Sequence, residues 1–191
     1  MIDHNLYASP VQASQALITH ILEAMDKEPE RPFTIALSGG TTPATLFEVW
    51  EREYAAYTPW PRIYFYWVDE RCVPPGDDQS NFGLAHRLLL GKVGIPASHY
   101  YRIVGEGTPE EEAKQYSSIV KTTVPTMDGV PVFDFVLLGI GEDGHTSSIF
   151  PDRQELLTAG EPYEVSVNPY NKTVRILSLI HISEPTRPIS I

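Results

Sequence analysis

The sequence predicts a three-layer α/β fold built on a mostly parallel β-sheet. Three short apolar runs without helical periodicity, at residues 33–37, 63–68 and 133–138, are typical of buried strands. Helical patterns alternate with these runs, and strands that alternate with helices usually pair in parallel. Because ligands bind at the carboxyl ends of parallel strands, we expect the functional residues directly after the three runs.

The helices are indicated by amphipathic spacing and by residues that suit a helix start. Residues 11–27 place apolar side chains along one side of a helix. A second helical pattern begins around Pro43, whose missing N–H costs nothing in a first turn. Residues 80–90 form a third. An acidic helix follows Thr108, which we expect to be its cap, with Glu111 at the capping-box position.

Composition and charge exclude several classes of protein. With 191 residues, 42% of them hydrophobic and 20% charged, the chain fits one globular domain. The net charge of -11 argues against a nucleic-acid partner, and no apolar run is long enough to cross a membrane. Cys72 is the only cysteine, which excludes an internal disulfide and fits a reducing cytoplasm. We expect a cytoplasmic protein, monomeric or weakly homo-oligomeric, with a small-molecule ligand.

The glycine-rich turn after the third apolar run is the most informative segment. Gly139, Gly141 and Gly144 allow a sharp turn and let a ligand approach the main chain. The turn places Asp143 and His145 two residues apart at the end of a strand. A carboxylate beside an imidazole can handle a proton, so we expect the chemistry here.

Other interpretations of this turn remain open. Residues 139–144 satisfy the G-x-G-x-x-G pattern of dinucleotide sites, which should then open a long helix, although Pro151 follows closely. His145 could instead have a purely structural role. A metal site is less favoured because no nearby cysteine or second histidine completes a ligand set. We expect neither a metal nor a cofactor.

The two other strand ends carry polar groups that suit an anionic ligand. A strand, a glycine loop and a helix start form a natural anion cradle, because free N–H groups and the helix dipole favour phosphate there; its residues are Ser38, Gly39, Gly40 and Thr41. Asp69 and Arg71 follow the second run, and Arg71 could grip a phosphate or a sugar hydroxyl. Asn81 offers a further amide. Alone, each loop could be a plain glycine turn or a surface ion cluster.

Three segments together resemble 6-phosphogluconolactonase, a family that shares its Rossmann-like fold with glucosamine-6-phosphate deaminase. They are residues 37–43, residues 67–71 with the Ser-Asn pair at 80–81, and residues 139–151, in the family's order and spacing. The deaminases carry Asn-Glu-Pro near residues 148–151 and favour Tyr where Arg71 stands, so both departures favour the lactonase. The resemblance implies a sugar-phosphate δ-lactone substrate, no redox cofactor and a place in the pentose phosphate pathway. It also implies that Arg175 lies near the phosphate.

Lactone hydrolysis fits these residues. We expect His145 to act as general base on water, Asp143 to orient it or anchor the substrate, and turn amides to stabilise the oxyanion. The residues assigned to substrate and phosphate are Ser38, Gly39, Gly40, Thr41, Asp69, Arg71, Asn81, Gly141 and Arg175. The alternatives are a sugar-phosphate deaminase or isomerase, and a non-catalytic phosphosugar-sensing module. The module would need a DNA-binding domain before residue 33, where there is room for one helix.

The end of the chain changes character. Residues 177–187 match the translation of a transposon-end adapter used in sequencing libraries. We therefore expect a partial 6-phosphogluconolactonase-like domain at residues 1–176 and a non-native tail at residues 177–191. Such a chain would lack the family's later strands and covering helix. We expect it to be unstable and poorly active on its own.

Overall fold

The computed structural model describes residues 5–141, 143–153, 155–156 and 160–179. Its helices are α1 (Pro10–Lys27), α2 (Thr41–Val49), α3 (Asn81–Ala85) and α4 (Pro109–Thr123). Its strands are β1 (Phe33–Leu37), β2 (Ile63–Trp67), β3 (Asp69–Arg71), β4 (Thr126–Met127), β5 (Val130–Pro131), β6 (Phe135–Val136), β7 (Tyr163–Val167) and β8 (Val174–Ser178). π-Helical turns continue α2 and α3, at Trp50–Tyr54 and His86–Leu90.

The first sheet is parallel, in the order β2–β1–β6, and confirms the predicted fold class. β1 occupies its centre, and all five of its residues are buried, which explains why four of them are apolar; the fifth, Thr34, satisfies its hydroxyl with Asp134. α1 packs against α2, and its buried side holds Leu17, Ile18, Ile21 and Met25. The predicted helix at 11–27 is therefore confirmed, with Ser9 as its cap.

Two details of the predicted elements are wrong. Thr108 stands at the N-cap of α4, but its side chain makes no capping hydrogen bond. The predicted strand at 133–138 is reduced to Phe135–Val136, although Asp134 and Leu137 still donate backbone hydrogen bonds to β1. Leu138 is 46% exposed. The apolar run in the sequence therefore extends beyond the end of the strand, and Leu138 belongs to the turn.

The second sheet is antiparallel, in the order β3–β8–β7, and sequence reasoning missed it. Residues 69–71, expected in a loop, form its edge strand β3. Val68 joins the two sheets, because it donates its N–H to Leu37 and accepts from Ser178. A single residue thus separates a parallel strand from an antiparallel one, which carries Asp69 from the end of the first sheet directly into the second.

β8 continues through the expected domain boundary at residue 176. Leu177 and Leu179 are fully buried and pack with Ile149 and Leu156. The rest of the expected tail, including His181, Glu184 and Arg187, lies outside the described residues, and its origin stays a prediction. None of the described helices is long and apolar enough to cross a membrane.

Candidate active site

The three predicted loops meet through Asn81. A Cβ atom on Gly39 would lie 1.8 Å from Asn81 Oδ1, so only glycine lets the first loop approach this closely. Asn81 Nδ2 in turn donates to the backbone oxygen of Asp69 at 2.8 Å and to its Oδ1 at 3.0 Å. Asp69 Oδ2 accepts from Ser148 Oγ at 2.7 Å. Ser148 lies three residues after His145, so the chain of contacts connects the glycine loop to the Asp143–His145 turn.

Glu70 stabilises the contact between Asn81 and Asp69. Its buried carboxylate accepts backbone N–H bonds from Arg71, Asn81 and Phe82, each at 2.8 Å, and a hydroxyl bond from Ser80 at 3.0 Å. These bonds satisfy donors at the start of α3, where backbone N–H groups lack helical partners. Burial raises the pKa of Glu70 above its ordinary value, and the accepted bonds oppose that rise. Glu70 thereby fixes Asn81 against Asp69.

Asp143 and His145 form a side-chain pair within the turn. His145 Nδ1 contacts Asp143 Oδ1, and the His145 N–H donates to the same oxygen at 3.2 Å. With Nδ1 protonated toward the carboxylate, the tautomer that this contact favours leaves Nε2 as an acceptor. The pKa of Asp143 is lowered, chiefly because the His145 ring donates to it. The imidazole also packs on Phe150, at 4.8 Å between ring centroids.

The turn backbone is shaped to hold this pair. A Cβ atom on Gly141 would come within 2.3 Å of the His145 ring, and Gly144 has a φ of 83°. The N–H groups of Gly141, Gly144 and His145 donate within the turn. Oxyanion donors, which we expected among the turn amides, would therefore have to be other N–H groups of this segment.

Tyr170 is a neighbour of the pair that sequence reasoning missed. It lies in the turn between β7 and β8, and its hydroxyl lies beside the Asp143 carboxylate, without a hydrogen bond of standard geometry to Oδ2. This contact raises the pKa of Tyr170. The side chain is 71% exposed, so no hydrophobic pattern in the sequence could have indicated the contact.

Arg71 and Arg175 stand side by side. They are register partners in β3 and β8, and directly opposed residues of an antiparallel pair project on the same face. Arg175 is 8% exposed, and burial first, then the charge of Arg71, lowers its pKa. The Nε atoms of both arginines are buried and have no hydrogen-bond partner among the described residues. Two neighbouring cations with unused donors suit an anion.

The remaining predicted residues lie around this centre. Ser38 is buried at the end of β1, whereas Thr41 is exposed in the first turn of α2. Gly40 is the N-cap of α2 and has a φ of 108°, a conformation that favours glycine. Asn81 was expected to offer its amide to a ligand, but its Nδ2 is already engaged by Asp69.

The structure also bears on the alternatives. No helix follows the glycine turn in the described residues 143–153, although a dinucleotide fingerprint should open one. Within the described part of the chain, no three His, Cys, Asp or Glu side chains cluster in a way that could hold a metal ion. The arrangement that is present, a carboxylate–imidazole pair whose ring shares Phe150 with the Arg175 guanidinium, is suited to proton transfer on an anionic substrate.

Comparison with known proteins agrees with this chemistry. The profile of the family described as glucosamine-6-phosphate isomerases/6-phosphogluconolactonase matches residues 8–182. The chain is 47% identical over 122 residues to the 6-phosphogluconolactonase of Treponema pallidum, covering 64% of this chain and 51% of that protein. It is 41% identical over 121 residues to the Haemophilus influenzae protein of the same name, covering 63% and 50%. The chain thus spans about half the length of these curated relatives.

Solved structures extend the similarity over nearly the whole chain. A crystal structure described as devB protein superposes with a TM-score of 0.90 at 35% identity, covering 95% of this chain and 76% of that one. The 6-phosphogluconolactonase from Trypanosoma cruzi superposes with a TM-score of 0.82 at 27% identity, covering 94% and 75%.

Proposed function

The chain belongs to the family of glucosamine-6-phosphate isomerases and 6-phosphogluconolactonases, and from this membership we propose that the protein hydrolyses 6-phospho-D-glucono-1,5-lactone to 6-phosphogluconate. The observation that carries the proposal is that His145, paired with Asp143, and the buried cation Arg175 both contact the ring of Phe150, at 4.8 Å and 5.7 Å from its centroid. A proton acceptor and a cation that suits an anion therefore lie against the same aromatic side chain. The curated relatives named above carry the lactonase name, which supports the same reaction.

In the proposed reaction His145 Nε2 accepts a proton from water while the water oxygen attacks the lactone carbonyl carbon. Asp143 stabilises the imidazolium that forms, because its carboxylate contacts Nδ1. The bond between the carbonyl carbon and the ring oxygen then breaks, and the imidazolium returns the proton to that oxygen. The products are a hydroxyl group and a carboxylic acid, which ionises near pH 7.

The phosphate of the substrate is assigned to the cationic side of the site. Arg71 and Arg175 supply charge and unused N–H donors, and the start of α2 supplies backbone N–H groups and a helix dipole. Arg71 is held in place by its own bond to the backbone oxygen of Gln79 at 2.7 Å. Asp69 forms an ion pair with Arg175 at 3.6 Å. It also accepts a hydrogen bond from Asn81, the residue that Gly39 approaches.

The proposed hydrolysis transfers no electrons, so we assign it no redox cofactor, and the carboxylate–imidazole pair supplies the base without a metal. Reaction in the cytoplasm, by a monomer or a weak homo-oligomer, is part of the same proposal. Deamination of an amino sugar phosphate is the competing activity, since the family name includes isomerases of that substrate.

An assay of both substrates tests the proposal. Lactone opening releases a proton and can be followed in a pH-stat, after subtraction of the spontaneous rate. We expect 6-phosphogluconolactone to open faster with the protein than without it, and glucosamine 6-phosphate to release no ammonia. Ammonia release without lactone opening would assign the deaminase reaction instead. Binding of both compounds without turnover of either would favour a sensing module.

A further inference from the structure

Ser148 lies between two buried charges that come from different strands. Its side chain is fully buried, and its Oγ donates to Asp69 Oδ2 at 2.7 Å and accepts from Arg175 Nη1 at 3.2 Å. The direct distance from Arg175 Nη1 to Asp69 Oδ2 is 3.6 Å, which is too long for a hydrogen bond. The two groups therefore form an ion pair without a direct hydrogen bond, and their hydrogen bonds run through the Ser148 hydroxyl.

This separation determines what Arg175 can bind. A guanidinium and a carboxylate in direct contact usually form two parallel hydrogen bonds, which would occupy the donors of the arginine. Here one nitrogen, Nη1, is engaged by Ser148, and Nε has no hydrogen-bond partner among the described residues. Arg71 stands opposite and repels Arg175, whereas the carboxylate of Asp69 attracts it. Ser148 Oγ occupies the positions on Asp69 Oδ2 and Arg175 Nη1 that a direct hydrogen bond would use.

We propose that Ser148 is a positioning residue that keeps Arg175 from hydrogen-bonding directly to Asp69 and so leaves donors of the guanidinium available to the substrate phosphate. This inference rests on the proposed function and specifies how its anion site is held open. Ser148 touches no reacting atom in this account. It acts through Arg175 on binding, and through Asp69 it couples the anion site to Asn81 and the glycine loop.

Ser148→Ala is the direct test. The hydroxyl is lost, Asp69 Oδ1 keeps its bond from Asn81, and the charged partner left beside Asp69 Oδ2 is Arg175, so we expect the guanidinium to shorten the 3.6 Å separation to a direct hydrogen bond. We expect the Kd of the product 6-phosphogluconate and the KM of the lactone to rise about tenfold, as for the loss of one hydrogen bond to a charged group. The kcat should stay within about twofold, because binding to ground and transition states is weakened alike.

Ser117→Ala is the matched control. Ser117 is equally buried, and its Oγ also bridges two groups, but both belong to the backbone of Tyr163. Its loss removes the same atom and two hydrogen bonds without releasing a charge. We expect lower thermal stability with KM and Kd unchanged.

A double-mutant cycle separates positioning from general damage. In the Asp69→Asn background no carboxylate is present to capture Arg175, so adding Ser148→Ala should change the product Kd by less than about twofold. Isothermal titration calorimetry on all four variants gives the coupling. If Ser148→Ala does not fold, Ser148→Cys is the second variant, because the thiol fills a similar volume to the hydroxyl but is only a weak hydrogen-bond donor. The same increases in Kd and KM are expected.

The outcomes distinguish this inference from the function on which it rests. A wild-type protein that does not open the lactone contradicts the proposed function. A wild type that opens it, while Ser148→Ala behaves like Ser117→Ala, contradicts the role of Ser148 alone. Equal weakening of product binding by Ser148→Ala in both backgrounds would also overturn it.

Discussion

The two sheets of this protein are buried for different reasons. The parallel sheet buries mostly apolar side chains and no charged one: Ile35, Leu37 and Phe65 are fully buried and have no polar side-chain groups to satisfy. The antiparallel sheet, although β7 is partly exposed, buries the charges of Asp69, Glu70 and Arg175. Apolar burial needs only volume and shape, whereas each buried charge needs hydrogen bonds and a counter-charge. The first sheet therefore supplies stability, and the second supplies a site whose geometry depends on individual atoms.

The largest stability effect is expected in the parallel sheet. Phe65→Ala removes a fully buried ring that packs against Trp50 and Trp60, each at 6.5 Å between centroids. We expect a loss of about 3–5 kcal/mol in the free energy of unfolding, measured by urea denaturation. Folded molecules that remain should bind 6-phosphogluconate with unchanged Kd. A loss below about 1 kcal/mol would show that this sheet is not the source of stability.

Gly39→Ala is expected to lower the free energy of unfolding less than Phe65→Ala does, but to lower the activity more. In Gly39→Ala the new methyl group would lie 1.8 Å from Asn81 Oδ1, and Asn81 is 2% exposed and held by Asp69. The loop must shift, at a cost of about 1–3 kcal/mol. We expect at least a tenfold loss of kcat/KM in the pH-stat assay, because the shift displaces the anion cradle.

Gly107→Ala is the control for this change, since a Cβ there meets no atom within 4 Å and the residue has no positive φ. Its activity should equal that of the wild type. If Gly39→Ala also kept full activity, the glycine loop would not belong to the site.

The smallest effect on stability is expected from the substitution of the partly exposed Asp143. The pKa of its carboxyl in the folded protein lies below the ordinary value of 3.8, mainly because His145 donates to it. A lowered carboxyl pKa stabilises the folded state above the unfolded-state value, and this contribution disappears as the pH falls through the folded value. Asp143→Asn should therefore be slightly less stable than the wild type at pH 7, and the difference should vanish on acidification below about pH 4. A difference in melting temperature that is constant with pH would contradict the pairing.

The same contrast explains what could be predicted from the sequence. The strands of the parallel sheet are visible as apolar runs, because every residue of β1 faces the interior. The antiparallel sheet was missed because β3 consists of Asp, Glu and Arg, which indicate a surface loop, and its partner β8 lies about a hundred residues away. Only tertiary contacts make such a segment a buried strand.

The site shows a similar division. Asp143 and His145 were predicted because a glycine turn after a strand has a known chemical use, and the structure brings their side chains into contact. Ser148 and Glu70 were not assigned roles, because nothing local to either residue indicates that its partners come from other strands and from α3. Ser148 lies within the glycine-turn motif, but the motif did not show which side chains Ser148 contacts.

The most direct test of the account is the rate of lactone opening by His145→Ala. The account predicts a fall in kcat of about 10²–10⁴-fold, the usual contribution of a general base, with thermal stability and product Kd close to those of the wild type. His20→Ala, which removes an exposed histidine on α1, should leave all three unchanged. A His145→Ala variant that retains more than a tenth of the wild-type kcat would contradict the assignment of His145 as the base.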